Sequence, residues 1–118
     1  MKESLQIHYL EIVTSNVEDS CAMYSRSMGL SFGGPIPELG GAKTALLSNG
    51  GMIGIRAPMH DAEEPTVRPY YLVSDIEKAV SKAVKSGADI ALPPMEISGY
   101  GKCAIIFIGP IQSGFWQV

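Results

Sequence analysis

The chain has 118 residues, of which 46% are hydrophobic and 18% charged, with a formal net charge of −3. That length suits one domain, and the apolar content supports a buried core and excludes intrinsic disorder. The acidic balance, with no Lys/Arg cluster, argues against nucleic acid as a partner.

At the N-terminus, Met1-Lys2-Glu3-Ser4 offers no apolar leader, so a cytoplasmic location is expected. Leu5 to Val13 reads as a strand. Asn16 then suits a helix N-cap, with Glu18 and Asp19 in the first turn where the helix dipole favours negative charge. Val17, Cys21, Tyr24 and Met28 recur at helical spacing and should face a sheet, and Gly29 suits the C-terminal cap. Strand signals follow at Leu30–Ile36, Lys43–Leu47 and Met52–Ala57, with Asn49-Gly50-Gly51 as a hairpin turn. Met59 to Pro65 is polar and acidic. His60, Asp61, Glu63 and Glu64 there read as a solvated linker rather than a metal cluster.

The second half opens with a strand at Val67–Val73. Asp75 is the cap, Glu77 lies in the first turn, and Ile76, Ala79, Val80, Ala83 and Val84 form the apolar stripe of a helix ending near Gly87. Strands are expected at Ala88–Leu92, Lys102–Ile108 and Gly114–Val118. The apolar tail from Cys103 is broken by Gly109, Pro110 and Gly114, so no membrane span is expected. Cys21 and Cys103 lack CxxC spacing and read as reduced, buried thiols.

The two halves repeat. Ser15-Asn16-Val17-Glu18 lies over Ser74-Asp75-Ile76-Glu77, each after an apolar strand and before a small-residue helix. The expected architecture is α+β: two βαβββ modules forming a curved eight-stranded mixed sheet, with the helices on its outer face. The modules span about 1–58 and 67–118, joined by a linker at about 59–66, within a single domain. One module of about 60 residues would be marginally stable alone, and two can cover each other.

Several segments resemble a known family. Tyr9-Leu10-Glu11-Ile12-Val13-Thr14-Ser15-Asn16 and Tyr70-Tyr71-Leu72-Val73-Ser74-Asp75-Ile76-Glu77 resemble the openings of the two modules of bacterial glyoxalase-like proteins. Gly99-Tyr100-Gly101-Lys102 and the closing Gly109-Pro110 to Gln117 resemble their last hairpin, with Gly109 where an Asp is usual. The chain is thus similar to the vicinal-oxygen-chelate superfamily of glyoxalases, bleomycin-resistance proteins and extradiol (dihydroxybiphenyl) dioxygenases. The resemblance implies a ligand site in the cup of the sheet and, in metal-dependent members, His or Glu ligands on four strands.

Strand parity decides which residues face that cup. Leu10 and Ile12 should pack on the helix, which sends Ile7, Tyr9 and Glu11 inward and His8 to the helix side. Tyr71 and Val73 should likewise pack on a helix, leaving Arg68, Tyr70 and Leu72 inward. The candidates for ligand lining are Tyr9, Glu11, Arg56, Arg68, Tyr70 and Trp116, with Gln117 as a further one; core or interface packing is the competing reading for Trp116, and packing for Tyr9 and Tyr70. Arg56 lies near a strand end, where surface exposure is the favoured reading and cup lining the alternative. Glu11 is a candidate catalytic base or the partner of a cup arginine. Ile7 and Arg68 at the opening-strand positions cannot hold a cation, so no metal is expected. A bulge before Asn16 would instead turn His8 inward as a ligand.

Two functions follow as expectations. One is a metal-free protein binding a small organic ligand, anionic or aromatic, by analogy with antibiotic-sequestering members. The other is a lyase, isomerase or dioxygenase using Zn, Ni, Mn or Fe. Whether the chain is an enzyme stays open at this stage. A homodimer is expected from the resemblance.

Overall fold

The structure is a computed structural model that describes residues 5–118; Met1–Ser4 lie outside the described residues. Strands and helices alternate in the order β1 (Ile7–Val13), α1 (Val17–Met28), β2 (Pro35–Ile36), β3 (Ala42–Leu46), β4 (Met52–Arg56), β5 (Thr66–Leu72), α2 (Ile76–Lys85), β6 (Asp89–Ile97), β7 (Gly101–Ile108) and β8 (Ile111–Gln117). They form an α+β fold with an eight-stranded mixed sheet. The chain divides into two compact units, one of Tyr9–Val67 and one joining the segment up to His8 to Arg68–Val118.

In the first unit the strand order is β2-β3-β4-β1. β1 runs parallel to β4, with Glu11 opposite Gly54 and Val13 opposite Arg56, and β3 runs antiparallel to β4. Ile12, Cys21, Ala45, Ile53 and Ile55 form the core between this sheet and α1, joined by Leu10, Val17 and Tyr24. The apolar stripe of α1 therefore meets the sheet as its spacing predicts. Met28, in the last turn, does not: it is 65% exposed. Asn16 makes no side-chain cap, and Gly29 closes the helix at φ 70°. The hairpin at Asn49-Gly50-Gly51 forms, with the Gly51 N–H donating to the Asn49 side chain.

The strand expected at Leu30–Ile36 shrinks to Pro35–Ile36. Gly33 and Gly34 interrupt it, and Leu30 and Phe32 pack on the core from irregular chain. Only the Gly33 N–H, donated to the Thr44 carbonyl, ties this stretch to β3 by a backbone bond outside the strand ladder.

The second unit repeats the pattern in the order β5-β8-β7-β6. β5 is parallel to β8, with Tyr70 opposite Gly114 and Leu72 opposite Trp116. Ile76, Val80 and Ala104 form its core with Val73 and Phe115. Asp75 caps α2 by accepting the Lys78 N–H. β6 runs five residues past the predicted Leu92, through Pro93 and Pro94, with register shifts on either side of Leu92. An edge strand tolerates prolines because one side of its backbone has no partner to lose. Among the described residues no helix is long and apolar enough to cross a membrane.

Candidate functional site

In each unit the sheet face turned away from the helix carries the polar and aromatic residues. With Ile53 and Ile55 packed on α1, period-2 alternation puts Gly54 and Arg56 on the opposite face, beside Tyr9 and Glu11. With Ala104 and Phe115 packed towards α2, the same alternation puts Tyr70, Gly114 and Trp116 together.

The first unit builds a charged cluster. Arg56 is 4% exposed and Glu11 7% exposed, so the surface position favoured for Arg56 from its place near a strand end is not adopted. Arg56 Nε donates to Glu11 Oε2 at 2.7 Å. Its Nη1 and Nη2 donate to the two carboxylate oxygens of Glu63 at 3.0 and 2.6 Å. Glu63 Oε1 also accepts the Met59 N–H at 2.7 Å. The linker expected to be solvated is thus clamped to a buried guanidinium. Hydrogen bonds from Arg56 pull the Glu63 pKa down to about 2. Burial works against the Arg56 charge, but the bonds to Glu63 and Glu11 outweigh it and hold its pKa above the ordinary value. Tyr9 is also buried, and burial pushes its phenol pKa up. Its ring lies over Gly54, where an added Cβ would stand 2.0 Å from the hydroxyl oxygen.

The second unit puts aromatic rings where the first puts charges. The repeat aligns Glu11 with Tyr70, since each lies opposite a glycine of the unit's last strand. Two residues past that glycine stand Arg56 and Trp116 respectively. Glu11 bonds Arg56, whereas Tyr70 meets Trp116 edge to face at 5.6 Å. Trp116 Nε1 donates to the Tyr100 carbonyl at 2.8 Å. Arg68 is 8% exposed, and its Nε donates to Gln112 Oε1 at 2.7 Å. Gln112 was not among the predicted residues, although counting back in twos from Trp116 through Gly114 reaches it.

Two assignments change. Gln117 does not share the Trp116 face: adjacent strand residues point to opposite sides, and its Oε1 accepts the Ile76 N–H at the start of α2. His8 lies against Trp116, with ring centroids 6.0 Å apart, rather than on the helix side. His8 Nδ1 is buried with no hydrogen-bond partner, and burial lowers its pKa.

A divalent ion, as the resemblance implies for some members, needs several converging donors. Among the described residues no group of three His, Cys, Asp or Glu side chains converges. Glu11 and Glu63 are both engaged by a guanidinium, and His8 faces an indole. The donors present do not fit such an ion.

The same fold is found in solved structures of low sequence identity. The hypothetical protein BH1468 from Bacillus halodurans C-125 superposes with a TM-score of 0.75 at 16% identity, covering 98% of this chain and 96% of that one. The methylmalonyl-CoA epimerase of Mycobacterium tuberculosis gives a TM-score of 0.71 at 15% identity, covering 94% and 86%. A Streptomyces coelicolor methylmalonyl-CoA epimerase in complex with 2-nitronate-propionyl-CoA gives 0.69 at 12%, covering 95% and 96%. At such identities the likeness is one of fold. No protein-family model matches the sequence, and no curated protein matches it.

Proposed function

We propose that this chain binds a small organic anion, best an aromatic carboxylate, at the Arg68–Tyr70–Trp116 face, without a metal ion. The observation that carries this reading is a buried arginine, oriented by Gln112 through Nε, on the same sheet face as two touching aromatic rings. A planar guanidinium matches a carboxylate in bidentate geometry, and apolar walls raise the strength of that pairing by excluding water. The chemistry is recognition and sequestration. The protein is proposed to act in the cytoplasm as a homodimer; light scattering giving a 12.6 kDa particle would contradict the dimer.

Benzoate is the simplest probe. Calorimetric titration should give saturable binding to the wild-type chain and a loss of at least about tenfold in Arg68→Gln, which removes a charge-assisted pair. Equal affinity in both proteins would refute the assignment.

The epimerase neighbours favour a second reading, in which Glu11 removes a proton from a carbon acid. That role requires the Glu11–Arg56 pair to open. Turnover of methylmalonyl-CoA by the purified chain, lost in Glu11→Gln, would replace the binding reading.

A further inference from the structure

We infer that Arg56 is a carboxylate-binding site of its own, which the chain fills with Glu63 when no ligand is present. The site belongs to the Tyr9–Val67 unit and does not depend on the Arg68 reading.

The argument starts from the geometry of the guanidinium. Arg56 Nε is committed to Glu11, which shares the buried face and fixes the plane of the fork. The outer edge, Nη1 and Nη2, grips both oxygens of one carboxylate, at 3.0 and 2.6 Å. This is the way an arginine holds a ligand carboxylate. The two acids differ in where they stand. Glu11 lies in the middle of β1, bound into the ladder with β4, and cannot leave without breaking the sheet. Glu63 lies between β4 and β5, in chain with no regular secondary structure. Its other bonds, to the Met59 N–H and from its own N–H to the His60 carbonyl, stay within that segment. It can therefore depart with the segment while every strand pairing is kept.

Charge points the same way. One guanidinium faces two carboxylates, an excess of one negative charge at a site where Arg56 is 4% exposed. A ligand carboxylate cannot simply be added to that cluster, because a third anion would be repelled. It can only exchange for Glu63, which conserves the charge. The space around the fork is kept by Gly40, where an added Cβ would stand 2.5 Å from Met59 Cε and 3.1 Å from Arg56 Cδ. Met59 is itself 65% exposed, so the side chain that Gly40 makes room for lies at the surface rather than in the core.

An internal occupant lowers apparent affinity by the fraction of time it holds the site. Removing it should therefore tighten carboxylate binding. Acetate is the probe, with chloride at equal ionic strength as the control. In Glu63→Ala, acetate should bind at least about tenfold tighter than to the wild-type chain and should restore most of the melting temperature lost on substitution. Glu63→Gln keeps an oxygen for the Met59 N–H while losing the charge, and carries the comparison should the alanine variant not fold. The gain should vanish when Glu11→Gln and Arg56→Gln are added together, a pair that removes both buried charges at once. It should persist in the Arg68→Gln background, which separates this site from the benzoate site. Equal acetate responses in wild-type, Glu63→Ala and Glu63→Gln proteins would overturn the inference. So would an acetate gain that survives the loss of Arg56.

Discussion

Glu63 shows how one side chain escapes a sequence reading. Its neighbours His60, Asp61 and Glu64 make the stretch look uniformly solvated, and an irregular segment has no period from which to infer direction. The structure singles it out by bidentate contact with Arg56. The pairing has a pH signature. The Glu63 pKa is lowered to about 2 from an ordinary value of 4.5. A lowered folded-state pKa contributes stability that is fully present above the unfolded value and is lost as pH falls towards the folded one. Urea unfolding of the wild-type chain and Glu63→Gln should therefore show a stability gap at pH 6 that narrows steadily between about pH 4.5 and pH 2. A gap independent of pH would mean that the ion pair adds nothing. Arg56 was misjudged for a different reason: its place near a strand end favoured the surface, but the pairs with Glu11 and Glu63 hold it buried at 4% exposure.

At the scale of elements, the two helices start alike in sequence and differently in structure. Asp75 accepts the Lys78 N–H, and Gln117 Oε1 accepts the Ile76 N–H, so α2 has two of its first amides satisfied by side chains. Asn16 makes no such bond, and its own N–H donates to Thr14 Oγ1 instead. Asp75→Ala should then destabilise by about 1 kcal/mol, and Gln117→Leu by a similar amount. Asn16→Ala should cost less than about 0.5 kcal/mol, since no cap is lost. Equal costs at Asn16 and Asp75, measured by chemical denaturation, would contradict these cap assignments. The repeat legible in the sequence located both helices to within a residue or two. It could not decide capping, because the two N-cap residues differ in backbone conformation, φ −104°, ψ 54° at Asn16 against φ −141°, ψ 99° at Asp75. Gln117 illustrates the same limit: neighbouring strand residues cannot share a face, so grouping it with Trp116 conflicted with strand alternation, and its Oε1 accepts the Ile76 N–H instead.

For the molecule as a whole, the repeat and the apolar periodicity made the α+β architecture readable before any coordinates. Those signals come from burial, which constrains many residues at once. The chemistry of the faces was less readable, because the two units use equivalent positions for different purposes. Glu11 and Arg56 in one unit correspond to Tyr70 and Trp116 in the other. One scaffold thus carries an ion pair in its first copy and an aromatic pair in its second, and among the described residues no three His, Cys, Asp or Glu side chains converge. The central claim is recognition of an organic anion by arginine and aromatic groups alone. Its most direct measurement is a benzoate titration of chelator-treated protein whose metal content has been checked by mass spectrometry. Saturable binding at full stoichiometry, unchanged when Zn, Ni, Mn or Fe is supplied, is the result predicted. Binding that appears only after one of those ions is restored would contradict it.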